Sequence, residues 1–202
     1  MRIRYLFAAA ALGAACLPTL ATRALAQQPA KAAAEKPHPL TLGGVTGQVP
    51  GEWKEQPAGG QFRMAQYVLP RAKGDTRDAQ FIVFHFGAGG GGSVEENLKR
   101  WKGMMRQPEG GDVEKAAKVA RSERKGLKLT TMDLPGTYQE RPFPASQQVT
   151  ERPGYRMLAA IVETTFEGGD GPYYLRIVGP AKTVEAAKPG WDRLLASLKG
   201  PL

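Results

Sequence analysis

Few residues in this chain are of a type and spacing that could carry chemistry. Gly87-Ala88-Gly89-Gly90-Gly91-Gly92 follows an aromatic, branched run and precedes Ser93, so it meets the G-x-G-x-x-G spacing that brings a backbone against a pyrophosphate at a helix start. A tract so rich in glycine fits almost any glycine pattern, and no strand ending in an acidic residue clearly follows it. No Gly-Lys-Ser/Thr is present, which excludes a Walker loop. The tract reads as a mobile connection from a strand to a helix, and the start of that helix, with Gly89, Gly91 and Ser93, is where an anion or partner is expected. Ser93 lacks the flanks of a nucleophile elbow, and its hydroxyl is explained by capping. Of the two histidines, His38 falls in a segment assigned below to a tether, leaving His85 as the one imidazole for a base or a metal. Alternation places His85 on the face of Phe81 and Val83, partly buried with one ring nitrogen hydrogen-bonded. The carboxylate pairs Glu95-Glu96, Asp75 with Asp78, and Glu167 near Asp170 fall in first helical turns or glycine-rich loops, where carboxylates ordinarily serve dipoles and turns. No catalytic residue, metal site or cofactor is assigned on these grounds. A small hydrolase or transferase using His85 with a nearby carboxylate or Ser93 stands as the alternative to a binding role.

The segment from Gly136 to Gly154 is longer than connections in compact domains usually are. Tyr138, Arg141, Phe143 and Arg152 give it the aromatic and arginine groups enriched in interface hot spots. These four are the candidate partner-binding residues.

The elements around these residues follow from periodicity. Phe62 to Leu69 and Ala79 to Phe86 have strand composition, the second apolar on both faces and therefore central. Ser93-Val94-Glu95-Glu96 matches a capping box, and Val94, Leu98, Trp101 and Met105 behind it form a helical stripe. Residues 113 to 124 suit either a helix or a polar edge strand, and a hairpin turning at Lys125-Gly126 into Leu127 to Met132 is favoured. Tyr155 to Thr165 and Pro172 to Val178 form a second hairpin across a glycine-rich turn. Trp191, Leu194, Leu195 and Leu198 mark a last helix, which Pro189 should kink or restart after Lys188. Hairpins with two amphipathic helices, and no regular strand-helix-strand alternation, point to an α+β domain with a mostly antiparallel sheet.

The chain opens Met-Arg-Ile-Arg, and the apolar stretch from Tyr5 to Ala15 is about half the length of a spanning helix. With Ala24-Leu25-Ala26 beyond it, residues 1–26 read as an export signal cleaved before Gln27, so no transmembrane span and a secreted or periplasmic location are expected. Anchoring as a lipoprotein through Cys16 is the alternative, although Gly13 stands where a branched apolar residue is wanted. Cys16 is the only cysteine, so cleavage would leave a domain without disulfides or thiolate metal sites. Residues 27–39 lack a core-forming pattern and read as a flexible tether, with one domain spanning 40–202. Removing Arg2, Arg4 and Arg23 from the 28 basic residues leaves 25 against 19 acidic ones, a net charge of +6. That balance favours an anionic envelope component or an acidic protein face. The dispersion of basic residues among acidic ones argues against nucleic acid.

The ending Gly171-Pro172-Tyr173-Tyr174-Leu175-Arg176-Ile177-Val178-Gly179-Pro180, then Lys182-Thr183-Val184 and a helix closing on Leu195-Ala196-Ser197-Leu198, resembles the PsbP-like fold. Val49-Pro50-Gly51-Glu52-Trp53 is similar to the short proline-tryptophan turn near the start of those domains. The resemblance implies an antiparallel sheet sandwiched by two main helices, and a binding or accessory role. The expectation is therefore a secreted or periplasmic, non-enzymatic domain that binds a protein or a cell-envelope component.

Overall fold

The computed structural model describes residues 35–143, 145–165 and 169–200. The expected export signal, Cys16, the cleavage site before Gln27 and the tether as far as residue 34 lie outside the described residues, as do Glu167 and Gly168.

The sheet is built around the deeply buried strand β10 (Tyr173–Pro180). On one side of it lie β5 (Ala79–His85), β4 (Arg63–Leu69) and the short β3 (Lys54–Gln56). On the other lie β9 (Thr150–Thr164), β8 (Leu127–Glu140) and β6 (Met105–Arg106), with β7 (Lys118–Arg124) also pairing with β8. Every pairing is antiparallel. A separate hairpin joins β1 (His38–Leu42) to β2 (Val45–Val49). The α+β class with a mostly antiparallel sheet holds.

Period-two alternation divides the core between the two faces of the sheet. Phe81, Val83, Leu158, Ala160, Tyr173, Leu175 and Ile177 pack on one face with Trp53, the β1–β2 hairpin and Trp191, Leu194 and Leu195 of α3 (Ala181–Ser197). Met132, Leu134, Met157, Ala159, Ile161 and Tyr174 pack on the other, beneath Leu98 and Trp101 of α1 (Val94–Gly103). The capping box forms, with Ser93 Oγ accepting from the Glu96 N–H at 3.2 Å and the Ser93 N–H donating to Glu96 Oε2 at 2.7 Å. Met105 completes the apolar stripe from β6, two residues past the end of the helix.

Four local expectations are corrected. His38 is not part of the tether: it opens β1, and its Nε2 lies 3.2 Å from the Gly51 carbonyl oxygen. Residues 113–124 are neither wholly helix nor wholly strand, because α2 (Val113–Ala116), capped by Asp112, leads into β7. The turn at Lys125-Gly126 is as expected, with both residues at positive φ of 48° and 73°. Pro189 does not break α3, which runs through it. Pro189 lies on the exposed side, where water can reach the carbonyl it leaves free, while buried Val184, Trp191 and Leu194 hold both halves of the helix on the sheet.

The fourth correction concerns 136–154, which is not a long irregular loop but the outer part of the β8–β9 hairpin. Tyr138 pairs with Arg152, Gln139 with Glu151 and Glu140 with Thr150, so only residues 141–149 connect the strands. The register shifts between Gly136 and Tyr138, setting Pro153 and Gly154 in a bulge. Proline has no N–H to give the ladder, and Gly154 at φ 69° takes a conformation that side chains resist, so the bulge is where both fit.

Candidate functional site

Helix α1 is only ten residues long and covers one end of its face of the sheet, over β6 and β8. The rest of that face, made by β4, β5, β10 and the outer parts of β8 and β9, is open and forms a groove of about 400 Å³. Gln80 and Ile82 of β5, and Arg176 and Val178 of β10, form its floor; the stacked rings of Tyr138 and Tyr155 stand at one wall, with centroids 6.2 Å apart.

Arg176 is the unusual group. The register sets it opposite Ile82 on one side and the small Ala159 on the other, which leaves room above it. Its guanidinium lies 5.5 Å from the centroid of the Phe84 ring, and Nη1 touches Met104 Sδ at 3.2 Å. Its other N–H groups meet no acceptor among the described residues and line the groove. Burial pushes its pKa down, partly offset by the Tyr138 phenol, while Arg63 adds to the depression. A guanidinium remains protonated under such conditions, so the groove floor carries an uncompensated positive charge.

The loop 70–78 forms the rim and is held from both ends. Asp75 Oδ2 accepts from the Thr183 N–H at 2.9 Å and from its hydroxyl at 2.6 Å, capping the first turn of α3, which has no side-chain cap of its own. The Ala72 N–H donates to Thr183 Oγ1 at 3.0 Å, and the Arg71 N–H to Asp78 Oδ1 at 3.2 Å. This folding commits both carboxylates of the Asp75 and Asp78 pair to the backbone, and brings Arg71 and Arg77 to the groove. Among the described residues, no carboxylate forms an ion pair with Arg71, Arg77 or Arg176. Glu140 at the edge is taken by Arg152 at 2.6 and 2.8 Å. Burial raises the pKa of Tyr155, with Arg77 and Arg152 opposing the shift, so its hydroxyl stays a donor at neutral pH.

The candidate residues read from the sequence fall in three places. Tyr138 lines the groove, and Arg152 holds Glu140 at its edge. Phe143 is 61% exposed at the hairpin tip, where Arg141 donates to the Ser146 carbonyl oxygen. Gly89, Gly91 and Ser93 lie at the start of α1, where the Glu96 carboxylate already takes the Ser93 N–H and hydroxyl. The carbonyls of the tract face side chains: Asn97 donates to Gly91 O at 2.8 Å, and Tyr174 to Gly92 O at 3.2 Å. An arriving anion would meet the Glu96 carboxylate there. His85 stacks on Tyr173 at 4.7 Å, its Nδ1 lies 3.3 Å from Pro172 O, and no described carboxylate is hydrogen-bonded to it. Among the described residues no cluster of three or more His, Cys, Asp or Glu side chains could hold a metal ion, and no helix is long and apolar enough to cross a membrane.

Sequence reasoning missed Arg71, Arg77, Tyr155 and Arg176. The signal for Arg176 was present: it is the one charge in Tyr173-Tyr174-Leu175-Arg176-Ile177-Val178, a run otherwise fit to be covered on both faces.

No family model matches the chain, and no curated protein matches it in sequence. Among solved structures it is similar to the solution structure of cyanobacterial PsbP (CyanoP) from Synechocystis sp. PCC 6803, with 11% identity, a TM-score of 0.45, and coverage of 86% of this chain and 97% of that chain. That structure is of the family that the residues resemble, and the likeness brings no site or partner to this chain.

Proposed function

We propose that this chain is a non-enzymatic binding domain that works outside the cytoplasm, in the periplasm or beyond it, and holds an anionic protein or envelope component on the open half of its sheet. The observation that carries the reading is Arg176, half-buried on the floor of the groove with no carboxylate partner among the described residues. Buried charges are ordinarily paired, because removing an ion from water without compensation costs several kcal/mol at full burial. An arginine left unpaired in a concave site is compensated when an anion arrives. Arg71 and Arg77 at the rim add attraction over a longer range, and the basic balance of the whole chain acts in the same sense. The export reading rests on the N-terminal sequence, whose charged start and short apolar run suit a cleaved signal. The hydrolase or transferase alternative is not preferred, since Ser93 is occupied by Glu96 and His85 by Pro172 and Tyr173.

The test is capture from the native envelope with the full chain as bait, comparing wild type, Arg71→Glu with Arg77→Glu, and Arg141→Ala with Phe143→Ala. A partner lost only from the first pair supports the groove. Loss only from the second moves the contact to the hairpin tip, and retention by both variants rejects the reading.

A further inference from the structure

Resting on the reading of the groove as a binding site, we infer that its floor is built for a carboxylate: Arg176 grips the two oxygens with its planar fork, Tyr138 donates beside it, and the stacked tyrosines receive a flat or apolar body.

The charge state of the ligand follows from what surrounds Arg176. Tyr138 and Arg63 act on its guanidinium, and Arg63 stands outside the groove, 5.8 Å from the same Phe84 ring and bonded to Gln66, while the Asp78 and Glu140 carboxylates that also line the groove are taken by the Arg71 N–H and by Arg152. Arg71 and Arg77 belong to the rim. A single cation on a partly dry floor matches a monoanion; a dianion such as a phosphate monoester would bring a second charge that the floor does not neutralise. Geometry points the same way, since the guanidinium fork and a carboxylate are both planar and make two parallel hydrogen bonds. Nη1 is occupied by Met104 Sδ, which is a weak acceptor that an oxygen can displace or share.

The space beyond the fork sets the body of the ligand. A volume of about 400 Å³ lies within the range of small-molecule sites. Ile82 and Val178 provide apolar floor on either side of Arg176, and the Tyr138 and Tyr155 rings lie within 11° of parallel, a platform for a planar group. Gln80 adds an amide that can accept or donate. A short acid with an aromatic or aliphatic body fits this lining. So does the free end of a peptide, which carries the same carboxylate.

Calorimetric titration of the full chain tests the inference in buffer free of other carboxylates. The probes are 3-phenylpropanoate, its neutral amide, phenyl phosphate and acetyl-glycyl-phenylalanine with a free or an amidated end. We expect 3-phenylpropanoate to bind and the amide to bind at least tenfold more weakly, the order of magnitude set by one charge-assisted bidentate contact. Arg176→Met should weaken the acid by about tenfold or more and leave the amide unchanged, Arg176→Lys should recover part of the loss, and Tyr138→Phe should cost a few-fold. A response to the free-ended peptide and not to its amidated form identifies a chain end as the source; a response to phenylpropanoate alone identifies a small acid. Equal binding of acid and amide, or undiminished binding by Arg176→Lys and Tyr138→Phe, overturns the inference. Tighter binding of phenyl phosphate than of phenylpropanoate overturns the carboxylate assignment while leaving the anionic groove standing. No probe binding, together with an envelope partner still lost from Arg71→Glu with Arg77→Glu, overturns the inference but not the proposed function.

Discussion

Replacing Arg176 with methionine should stabilise the unliganded domain. The guanidinium makes one ring contact, to Phe84 at 5.5 Å, and one weak contact, to Met104 Sδ. Losing the ring contact costs about 0.5–1 kcal/mol. Against this stands the cost of holding a charged group away from water without a partner, about 1–3 kcal/mol for a half-buried site. Methionine is of similar length and adapts to irregular gaps, and the neighbours Ile82, Phe84 and Val178 offer it apolar contact. The net expectation is a gain of about 1–2 kcal/mol, or a rise in Tm of roughly 2–8 °C for a domain of this size. Thermal and urea unfolding in buffer free of carboxylate and phosphate measure it. Saturating 3-phenylpropanoate should then raise the Tm of the wild type and leave Arg176→Met unmoved, because only a ligand that binds the folded state shifts its stability. A fall in Tm of more than about 2 °C on Arg176→Met would show that the guanidinium is structural and that the reasoning from its missing partner is wrong.

Asp75→Ala should lower stability by about 1–2 kcal/mol through loss of the α3 cap, seen as a shift in the urea midpoint with an unchanged slope. Gly91→Ala should cost about 1–3 kcal/mol, since φ at 91 is 86° and an added Cβ would sit 2.4 Å from the Tyr174 hydroxyl; an unchanged midpoint would show that the tract can move aside. The Glu96 carboxyl is held below its ordinary pKa of 4.5, first by the Ser93 N–H and then by the Ser93 hydroxyl. Its folded pKa is the lower one, so its contribution is present above pH 4.5 and is lost as pH falls through the folded value. Urea midpoints of wild type and Glu96→Gln should therefore differ at neutral pH and converge as pH falls below 4.5 and through the folded value, and a gap that persists in strong acid would remove Glu96 from that role.

The features readable from the sequence are those set within a few residues of one another. The capping box at Ser93, the stripe through Leu98 and Trp101, and the turn at Lys125-Gly126 each depend on neighbours three or four positions away, and each stands in the structure as the spacing requires. Pro153 and Pro189 show where local rules give out. Proline opposes both strand and helix as a type, but a bulge opposite Thr137 accommodates one and burial of Trp191 and Leu194 carries the helix past the other. The groove was harder to see for the same reason. Its floor and wall join Gln80, Ile82, Tyr138, Tyr155 and Arg176, which lie on four strands whose adjacency no short pattern specifies. The rim depends on a tie between Asp75 and Thr183, 108 positions apart.

The extent of α1 decides which part of the sheet is free to bind. Ten helical residues span about 15 Å, and strands lie about 4.8 Å apart, so one such helix shields roughly three strands of a sheet this wide. Beyond its reach a charge on the same face needs solvent, and ordinary solvation would be met by Lys, Glu or Thr pointing into water. At Arg176 the chain instead carries a group that is half withdrawn from water, enclosed by Phe84 and Met104 and without a carboxylate partner among the described residues. Solvation does not require that choice, and the cost of withdrawing an unpaired charge from water counts against it in the unliganded fold. An arginine kept where it weakens the unliganded fold is explained by what it does when the groove is occupied.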